Sequence, residues 1–417
     1  MTENVFDVLT ERGFIEQASN AEAIRAVVER PITCYVGFDP SADSFHVGHL
    51  VPIMALAHVQ RHGHRPIAIM GGGTGMVGDP TDKDEMRKLL TVEQIDANLV
   101  NLKRQMAQLL DFSDGQALML NNADWLRPLN YLEFLRDIGR HFSVNRMLAA
   151  EGYRRRYDSD GGLNFLEFNY QLLQAYDFLH VFREYGCVLQ AGGNDQWGNI
   201  LAGVDLVRRV EGQQVYAVTY PLLTTSSGAK MGKTAEGAIW LDPELVSAYE
   251  YYQYWINTED ADVERFLAIF TFLPMDRVWE LGQLTGADIR QAKEVLAFEA
   301  TKVLHGEAAA RKAQDTSRKL FGQGVVTEAM PTTAFQMSEL AAGIPAPELF
   351  QQVGLCRSRS EARRLIQQGG AYVNDGSVGS VDDLITADHV VEGGILLRAG
   401  KKRYHQIIVR PTNTAGD

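Results

Sequence analysis

The stretch Thr33-Cys-Tyr-Val-Gly-Phe38, followed by Gly48-His-Leu-Val-Pro-Ile-Met-Ala-Leu-Ala57, decides the fold. The first part is rich in β-branched and aromatic side chains and predicts a strand. The second part has apolar residues at helical spacing, which predicts an amphipathic helix over 48–60. A strand followed by a helix is the repeating unit of a parallel sheet covered by helices.

The same alternation continues along the chain. Two further strands are predicted at Arg65-Pro-Ile-Ala-Ile-Met70 and Cys187-Val-Leu-Gln190, and glycines follow each of them. We therefore expect an α/β fold: a Rossmann-like catalytic domain with a parallel sheet, then an α-helical domain and a small α+β domain. In open parallel sheets, ligands bind at the loops beyond the carboxyl ends of the strands. Polar residues in those loops are therefore the first candidates for a functional site.

Shifts in composition predict four segments. Residues 1–223 carry the strand–helix alternation, and residues 224–325 begin with a Ser- and Gly-rich loop and then become helical. Glycine and proline are frequent over 326–345, which predicts a linker. Residues 346–417 contain an amphipathic helix and two short β-rich runs, which predict a compact final domain.

The net charge of the chain limits where it can bind a polyanion. The chain has 417 residues, with 40 Lys and Arg against 53 Asp and Glu, a formal net charge of −13. This charge argues against indiscriminate binding of nucleic acid, whose phosphates are also negative. From Ala346 onward nine basic residues stand against eight acidic ones, so contact with a polyanion is expected near the C-terminus.

The sequence also predicts a cytoplasmic protein without a membrane partner. No run approaches the roughly 18 consecutive apolar residues of a membrane span. The acidic first residues lack the apolar core of a signal peptide. Three widely separated cysteines fit a reducing compartment and form neither a zinc motif nor a disulfide framework.

A histidine pair follows the first predicted strand. His46 and His49 are three residues apart, so the first turn of a helix would place both on one face. Gly48 between them lets a ligand approach the backbone closely. At a helix N-terminus such a pair suits phosphate binding, although an isolated His-x-x-His is more often a pair of surface histidines.

A lysine loop lies far along the chain from this pair. Lys230, Lys233 and Thr234 belong to a Ser- and Gly-rich segment. Two lysines and a hydroxyl on a loop can close over a polyphosphate and stabilise transition-state charge. Taken alone, the segment is equally explained as an exposed basic loop.

A glycine cluster, Gly71 to Pro80, follows the second predicted strand. It contains a literal Gly-x-Gly-x-x-Gly, the pattern of a dinucleotide-binding loop. Asp79 and Pro80 then stand where an apolar helix should begin, which disfavours a nicotinamide site. A glycine-lined loop with a basic flap carrying Lys83 and Arg87 fits better, and a plain surface loop remains open.

Polar side chains form a stripe on a predicted helix. Tyr170, Gln174 and Asp177 are four and then three residues apart, among apolar neighbours. These groups suit the polar wall of a small-molecule pocket, although a modest solvent-facing stripe is the alternative. The turn Gly192 to Asn199 follows the third predicted strand, and its carboxylate and amide groups suit ribose hydroxyls or a tight turn.

Together these segments resemble a known family. His46-Val-Gly-His49 resembles the His-Ile-Gly-His signature of class I aminoacyl-tRNA synthetases, and Lys230-Met-Gly-Lys-Thr234 resembles their Lys-Met-Ser-Lys-Ser loop. Within that class, four segments are similar to bacterial tyrosyl-tRNA synthetases: Tyr35–Pro40, Gly78–Pro80, Tyr170–Asp177 and Gly192–Asn199. The similarity covers nearly the whole chain, including the final domain, which resembles the RNA-binding domain of the ribosomal small-subunit protein S-four.

The resemblance implies a tyrosine–tRNA ligase activity in protein synthesis. Tyrosine would attack the α-phosphate of ATP to give tyrosyl-adenylate and pyrophosphate, and the tyrosyl group would then pass to the 3′-terminal ribose of tRNA(Tyr). ATP would be a substrate accompanied by Mg²⁺, with no tightly bound cofactor and no metal site on the protein. The family also implies a homodimer.

The resemblance assigns roles to matching positions. The expected catalytic residues are His46, His49, Lys230, Lys233 and Thr234, with Lys83 and Arg87 from the flap. The residues expected to bind tyrosine are Tyr35, Asp79, Tyr170, Gln174, Asp177 and Gln196, of which Tyr35 and Asp177 would bond the phenolic hydroxyl. Those expected to bind ATP are Gly37, Asp39, Gly48, Gly193, Asp195 and Lys233. Those expected to bind tRNA are Arg357, Arg359, Arg363 and Arg364 on the helix of the final domain, with Lys401 and Lys402.

Three alternatives stay open on the sequence. A tryptophanyl-tRNA synthetase is the nearest, and the Tyr35–Asp177 pair and the final domain disfavour it. A dinucleotide-dependent oxidoreductase is disfavoured by Asp79-Pro80 after the glycines. A non-catalytic RNA-binding relative would be expected to have lost signature residues that this chain retains.

Overall fold

The computed structural model describes residues 3–79, 91–159, 161–226, 228, 231, 233–234, 237–323, 331–341, 343–374, 376–391, 394–400 and 403–410. Two compact units are present. Unit 1 comprises the described residues of Met1–Val246 and Thr258–His305. Unit 2 comprises those of Ser247–Asn257 and Gly306–Asp417.

The strands of unit 1 are short and apolar, and the strands of unit 2 follow them in the chain. Unit 1 contains β1 Gln17–Ala18, β2 Thr33–Phe38, β3 Arg65–Met70, β4 Leu118–Asn121, β5 Cys187–Gly193, β6 Tyr216–Tyr220, β7 Lys233–Thr234 and β8 Gly237–Ala238. Unit 2 contains β9 Thr332–Gln336, β10 Ile344–Pro345, β11 Ala371–Val373, β12 Gly376–Ser377, β13 Leu384–Ile385, β14 Gly394–Ala399 and β15 Arg403–Arg410.

The helices alternate with the strands in unit 1 and are grouped near the start of unit 2. In chain order they are α1 Val5–Glu11, α2 Ala21–Val27, α3 Val47–Arg61, α4 Val92–Met106, α5 Ala123–Leu126, α6 Tyr131–Asp137, α7 Val144–Ala149, α8 Glu151–Asp158, α9 Phe165–Phe168, α10 Tyr170–Tyr185, α11 Trp197–Glu211, α12 Ala248–Ile256, α13 Val263–Phe270, α14 Met275–Gly282, α15 Ile289–His305, α16 Glu307–Gln323, α17 Met337–Ala341, α18 Ala346–Gln352 and α19 Arg359–Gln367.

Six strands of unit 1 form one sheet in the order β1-β6-β5-β2-β3-β4. Strands β2 to β6 are parallel, and β1 adds antiparallel to the edge at β6. The chain order of the parallel strands reverses between β2 and β5, which is the topological switch point of a Rossmann-like sheet. The expected parallel α/β fold is therefore confirmed.

The sequence explains why β2 is central. Five of its six residues are buried, as expected for a strand covered by helices on both faces. The strand leads through a short loop to α3, which begins after His46 and ends at Arg61, close to the predicted helix 48–60. The carboxyl end of β2 and the N-terminus of α3 therefore open onto the same side of the sheet.

Unit 2 is built around a five-stranded sheet in the order β12-β11-β14-β15-β9. All pairs are antiparallel except β15 with β9, which is parallel. Helices α18 and α19 pack together, and their apolar faces join the sheet in one core that contains Leu349, Phe350, Ala362, Ile366, Ile395, Leu397 and Ile407. This is the compact α+β domain expected at the C-terminus.

The predicted linker 326–345 needs correction over its described part. Residues 332–336 form β9, which pairs with β15, and Phe335 is buried in the core of unit 2. Strand β10 follows and pairs with β13. Of the residues that suggested a linker, Gly343 makes a turn with a φ of 75°, and Pro345 ends β10 and is the N-cap residue of α18.

The helical segment predicted over 224–325 is divided between the two units. Helices α13, α14 and α15 belong to unit 1, and α12 with α16 belongs to unit 2. Gln253 of α12 donates to Ser317 of α16 at 3.0 Å, and both are buried. Sequence composition shows where helices occur, but their side-chain partners decide which unit they join. In the described part of the chain, no helix is both long and apolar enough to span a membrane.

A buried arginine anchors α1 to the end of α13. The Arg12 guanidinium is 7% exposed and donates to the carbonyls of Ala268, Thr271 and Leu273. The last carbonyls of a helix have no partner within the helix and carry the negative end of its dipole, so a buried cation stabilises them. Helices α1 and α13 both pack on α3, so this contact supports the helix that carries the histidine pair.

Arg12→Leu is expected to lower the free energy of unfolding of unit 1 by about 2–4 kcal/mol, because it leaves buried carbonyls without donors. Denaturant unfolding followed by tryptophan fluorescence measures the change. Arg25→Leu is the control, since the Arg25 side chain is 63% exposed and pairs with Asp7 at the surface. Equal destabilisation by both variants would contradict the anchoring role.

Candidate functional site

The site lies at the switch point between β2 and β5. Crossover connections leave these two neighbouring strands in opposite directions and open a crevice beyond their carboxyl ends. Gly37 and Asp39 mark the end of β2, and Gly193 and Asp195 mark the end of β5. A Cβ on Gly193 would lie 2.4 Å from the Asp195 Oδ1 atom, so only glycine allows this carboxylate to fold back over the strand end.

The two histidines form the start of α3. His46 is the N-cap residue, and its Nδ1 accepts from the Gly48 N–H at 3.0 Å. The His49 Nδ1 in turn accepts from the His46 N–H at 3.3 Å, and the two ring centroids are 4.1 Å apart. A Cβ on Gly48 would lie 2.7 Å from His46 Cε1, so glycine is required for this ring to cap the helix. The predicted pairing of His46, Gly48 and His49 at a helix N-terminus is therefore observed.

These hydrogen bonds also decide which nitrogens can donate. Because both Nδ1 atoms accept, the hydrogen of each neutral ring is on Nε2. Burial, and then the neighbouring His46, lowers the pKa of His49 to about 3. His49 is therefore neutral at physiological pH, and it adds a hydrogen-bond donor to the positive end of the helix dipole without adding a charge.

The lysine loop comes close to this helix start. Met231 is buried, and its carbonyl oxygen is 3.6 Å from the Cβ position of Gly48. Further along, His46 forms a β-bridge with Trp240, and the Val47 N–H donates to the Ile239 carbonyl at 3.0 Å. The loop that carries the predicted lysines is thus held beside the histidine pair at both of these points.

Several predicted residues cannot be placed. Lys83, Arg87, Lys230, Lys401 and Lys402 lie outside the described residues. For Lys233 and Thr234 the structure describes only the backbone, as strand β7 paired with β8. The roles of these seven side chains therefore stay predictions.

One end of the crevice is a buried polar pocket. Asp177 is 4% exposed, and its carboxylate accepts from Asn122 Nδ2 at 2.9 Å and from Trp125 Nε1 at 2.8 Å. Tyr35 is buried beside it, with its ring 5.3 Å from that of Phe178. The Tyr35 hydroxyl has no hydrogen-bond partner among the described residues.

Tyr35 and Asp177, the two residues predicted to bind the phenol, therefore lie together, and each can form a further hydrogen bond. Burial raises the pKa of Asp177 to about 7, an effect that its bonds to Asn122 and Trp125 oppose. Burial and then the charge of Asp177 raise the pKa of Tyr35. A buried polar atom without a partner costs about 1–3 kcal/mol, so a ligand that supplies a hydroxyl here would relieve that cost. Asn122 and Trp125 were missed in the sequence, although Asn122 directly follows strand β4.

A second polar group lies at the ends of the strands. Gln196 Nε2 donates to Asp79 Oδ2 at 2.7 Å and to Asp195 Oδ2 at 3.0 Å. The structure thus joins Asp79 and Gln196, both predicted to bind tyrosine, with Asp195, predicted to bind ATP. Tyr170 and Gln174 are on α10, two turns and one turn before Asp177, and this helix packs against residues 74–76 of the glycine cluster. Asp39 Oδ1 is 3.3 Å from the Cβ position of Gly71 and so faces the end of β3.

The predicted tRNA-binding arginines are on the surface of unit 2. Arg357, Arg359, Arg363 and Arg364 are all exposed. Arg359 pairs with Glu348 at 2.9 Å, whereas no ion pair joins Arg363 or Arg364 to another residue of the described ranges. One detail is corrected: α19 starts at Arg359 after its N-cap Ser358, so Arg357 precedes the helix and is not on it.

A second basic surface, in unit 1, was not found in the sequence. It comprises Arg146, Arg154, Arg155, Arg208 and Arg209, which lie on the consecutive helices α7 and α8 and on the later helix α11. Asp205 pairs with Arg208 and Arg209, and its carboxylate is 4.0 Å from Arg146. Beside this surface, a cavity of about 560 Å³ is lined by Gln17, Tyr153, Arg155, Asn194, Asp195 and Trp197. Arg155 thus lines the same cavity as Asp195 at the end of β5.

Binding of a phenol, such as the side chain of tyrosine, is expected to release a proton from Asp177. Its pKa of about 7 means that much of the carboxyl group is protonated below neutral pH. A hydrogen bond from the phenol favours the carboxylate and lowers this pKa. Calorimetric titration with tyrosine at pH 6.5, in buffers of different ionisation enthalpy, measures the released proton, and Asp177→Asn should abolish the release. Binding by the unaltered chain with no proton release would contradict this role.

The same shift affects stability. Because the pKa of Asp177 is raised to about 7, the folded chain binds more protons than the unfolded chain between about pH 4 and pH 7. The contribution of Asp177 to the free energy of unfolding therefore falls as the pH rises through that window.

Comparison with known proteins identifies the family. A family model described as tRNA synthetases class I (W and Y) matches residues 28–322, and a model of the tyrosine–tRNA ligase SYY-like C-terminal domain matches residues 324–407. The chain is 55% identical to a tyrosine–tRNA ligase of Desulfosudis oleivorans over 98% of this chain and 99% of that relative. It is 56% identical to the tyrosine–tRNA ligase of Syntrophus aciditrophicus over 96% of this chain and 98% of the relative.

Solved structures agree on the fold. A C-terminally truncated mitochondrial tyrosyl-tRNA synthetase of Aspergillus nidulans is 31% identical, with a TM-score of 0.69 over 76% of this chain and 94% of that chain. A tryptophanyl-tRNA synthetase of Encephalitozoon cuniculi is 15% identical, with a TM-score of 0.55 over 74% of this chain and 87% of that chain, and shows the fold alone. The SYY-like C-terminal match favours tyrosine over tryptophan and does not fit an oxidoreductase. The resemblance seen in the sequence is thus confirmed: the chain belongs to the class I aminoacyl-tRNA synthetases, in the tyrosine–tRNA ligase family.

Proposed function

We propose that the chain joins tyrosine to tRNA(Tyr) with ATP, in two steps at the β2–β5 switch point. The observation that carries this proposal is the pairing of two features in one crevice. A buried polar pocket at Tyr35 and Asp177 suits a phenol, and a helix start capped by His46 and His49 suits phosphate. A ligand that holds both groups in one molecule is tyrosyl-adenylate.

The two ends of the pocket fit the length of tyrosine. Tyr170 and Asp177 are seven residues apart on α10, a rise of about 10 Å at 1.5 Å per residue. With the phenol at Asp177, the amino group would lie toward Tyr170, Gln174 and Asp79. The carboxylate would then lie near Gln196, at the open end of the crevice where ATP would bind.

Activation would proceed by in-line displacement. A tyrosine carboxylate oxygen bonds to the α-phosphorus of ATP as the bond to the bridging oxygen of pyrophosphate breaks. Little acid–base chemistry is needed, so positioning and charge stabilisation can carry the step. The Nε2–H groups of His46 and His49 would donate to phosphate oxygens, and Lys230, Lys233 and Thr234, with Lys83 and Arg87, would stabilise the leaving pyrophosphate. Gly37, Asp39, Gly193 and Asp195 would line the nucleoside.

Mg²⁺ would accompany ATP. The described residues contain no group of three or more His, Cys, Asp or Glu side chains able to hold a metal ion. The single carboxylates Asp39 and Asp195 at the strand ends fit Mg²⁺ that arrives on nucleotide phosphates, since Mg²⁺ usually binds through one or two carboxylates and substrate phosphates. Dependence of pyrophosphate exchange on added Mg²⁺ tests this point.

In the second step, a terminal ribose hydroxyl of tRNA would attack the tyrosyl carbonyl and release AMP. The unit 1 arginines and the adjacent cavity at Asp195 and Trp197 fit the acceptor end of a tRNA, because the cavity opens beside the expected ribose of the adenylate. The exposed arginines of unit 2, with Lys401 and Lys402, would hold another part of the same polyanion. The overall charge of −13 disfavours contact between tRNA and the rest of the protein surface.

A homodimer in the cytoplasm completes the proposal. In unit 1 the side chains of Tyr131 and Leu132 on α6 and of Phe165 on α9 are 56%, 74% and 68% exposed. Several exposed apolar side chains favour association with a second copy.

The described cysteines Cys34, Cys187 and Cys356 are buried free thiols, which fits a reducing compartment. Sedimentation equilibrium would distinguish a dimer from a monomer of 46.4 kDa, and cell fractionation tests the location.

Pyrophosphate–ATP exchange measured with each amino acid separately tests the proposed activation step. Tyrosine alone is expected to stimulate exchange strongly, and stimulation by tryptophan or by no amino acid would overturn the proposal. His49→Ala should slow exchange about 100-fold, the usual loss on removing one transition-state donor, while the Kd for tyrosine changes little. His62→Ala, at the opposite end of α3, is the control. A larger loss of tyrosine binding than of rate in His49→Ala would contradict the assignment.

Replacement of Arg363 and Arg364 by alanine is expected to raise the KM for tRNA in the charging reaction about tenfold or more, with pyrophosphate exchange unchanged. Each arginine contributes to a salt-dependent phosphate contact, so the loss should shrink as salt rises. Replacement of Arg146 and Arg154 should likewise raise the KM for tRNA and leave pyrophosphate exchange unchanged. The matched control replaces Arg25 and Arg30, which are exposed on unit 1 far from both surfaces in sequence. Equal loss of tRNA charging and pyrophosphate exchange would contradict a role of these arginines in tRNA binding alone.

A further inference from the structure

A buried glutamine of α4 holds the loop that leads into the histidine pair. Gln105 is 4% exposed, and its Oε1 atom accepts from the Phe45 N–H at 2.9 Å. Its Nε2 atom is 3.4 Å from the Asp43 carbonyl oxygen. Asn98, two turns earlier on the same helix, donates to the Pro40 carbonyl at 2.9 Å. Helix α4 therefore holds the loop between β2 and α3 near both of its ends.

The same glutamine is joined to the segment that follows the lysine loop. Asp242 is 6% exposed, and its Oδ2 atom accepts from Arg104 of α4 at 2.7 Å, with the Gln105 Nε2 atom at 3.4 Å. The Ser44 hydroxyl oxygen accepts from the Asp242 N–H at 3.3 Å and is 3.2 Å from Gln105 Oε1. Together these four residues, Ser44, Arg104, Gln105 and Asp242, form the α4 clamp.

Phe45 is the residue on which the α4 clamp acts. It is 1% exposed and directly precedes His46, the N-cap residue of α3. Its N–H donates to Gln105, and its carbonyl accepts from the Leu241 N–H at 2.8 Å. Its ring centroid is 5.2 Å from that of His49. Because both backbone groups of Phe45 are buried and need partners, Phe45 is fixed between α4 and the segment after the lysine loop.

The chemistry of this position requires an amide. Its oxygen accepts from a buried N–H, and its NH₂ group faces a carbonyl and a carboxylate. An apolar side chain would leave the Phe45 N–H without an acceptor, and a carboxylate would face Asp242 with the same charge. The α4 clamp thus joins, through one side chain, the two segments proposed to bind the phosphates of ATP.

We propose that Gln105 is a positioning residue for the activation step: its amide sets the position of His46 and His49 relative to the segment that follows the lysine loop. This inference rests on the proposed function. Gln105 acts through Phe45 and not through contact with a substrate. The phenol end of the pocket is held separately, by the hydrogen bonds of Asp177 to α5 and to the end of β4, so tyrosine binding does not depend on the clamp.

The test measures tyrosine-dependent pyrophosphate exchange by the full chain. Gln105→Met keeps the length of the side chain and removes the amide. It is expected to lower kcat about tenfold, since a displacement of about 1 Å that originates away from the chemistry can cost as much as about 100-fold. The Kd for tyrosine, measured by calorimetry, should stay unchanged.

Gln60→Met is the matched control. Near the other end of α3, the Gln60 Nε2 atom donates to the Asp111 carbonyl at 2.7 Å, and its Oε1 atom accepts from the Asp111 N–H at 2.9 Å. Both variants therefore remove a side-chain amide that bonds to backbone between the region of α3 and that of α4, and both should lower the thermal midpoint. Only Gln105→Met should lower kcat.

A double-mutant cycle shows whether Gln105 acts through the histidine pair. In the His49→Ala background, Gln105→Met should lower kcat less than about threefold, because the group that it positions is already absent. Ser44→Ala removes only one hydroxyl of the α4 clamp and is the milder second variant. It should lower kcat less than Gln105→Met does and show the same coupling to His49→Ala, so the test does not depend on the folding of Gln105→Met.

Four results would overturn the proposal. They are an unchanged kcat in Gln105→Met, a loss of tyrosine binding as large as the loss of kcat, an equal loss of kcat in Gln60→Met, and a loss of the same factor with and without His49→Ala. Failure of the proposed function is a different outcome, since it would appear as the absence of tyrosine-dependent exchange in the unaltered chain.

Discussion

Parallel pairing of β2 with β5 is the constraint on which the rest of the structure depends. Strand β2 is followed by α3, and β5 is followed by α11. The connections after these two neighbouring strands leave in opposite directions, so a crevice opens beyond their carboxyl ends. Each functional segment reaches the site because it directly follows one of these strands or lies on a helix that packs over them. His46 follows β2, Asp195 follows β5, and Asp177 lies on α10, which precedes β5. If this pairing shifted register by one residue, Tyr35 would turn to the other face of the sheet.

The pocket combines satisfied and unsatisfied polar groups, and this difference indicates their tasks. Asp177 is held by Asn122 and Trp125, so its orientation is fixed before a ligand arrives. Beside it, the Tyr35 hydroxyl has no hydrogen-bond partner among the described residues. An apolar group in place of this hydroxyl would give a more stable pocket. The presence of the hydroxyl is consistent with a site in which stability is given up for recognition of a ligand's hydroxyl group.

Much of the site could be predicted from the sequence, because its motifs are short and local. His46 and His49 share one helical turn, and Tyr170 to Asp177 share one helix face, so spacing alone places them. Asn122 and Trp125 could not be found this way, since their importance comes from hydrogen bonds to Asp177, which is distant in sequence. The basic surface of unit 1 was missed for the same reason: its arginines lie on α7, α8 and α11.

Domain boundaries were the least predictable feature. Glycine and proline suggested a linker in a region where β9 in fact pairs with β15 in the sheet of unit 2. A high content of these residues indicates turns, but it does not show whether the flanking residues pair as strands. The helical segment after the lysine loop looked uniform, yet α12 shares a buried hydrogen bond with α16 and belongs to unit 2. Long-range packing decides such assignments.

The most direct test of the account is a crystal structure of the chain with a non-hydrolysable analogue of tyrosyl-adenylate. We predict that the phenolic oxygen lies within hydrogen-bond distance of Tyr35 and Asp177, and that the phosphate mimic lies beside the Nε2 atoms of His46 and His49. An analogue bound with its phenol away from the β2–β5 switch point, or with its phosphate mimic away from the start of α3, would contradict it.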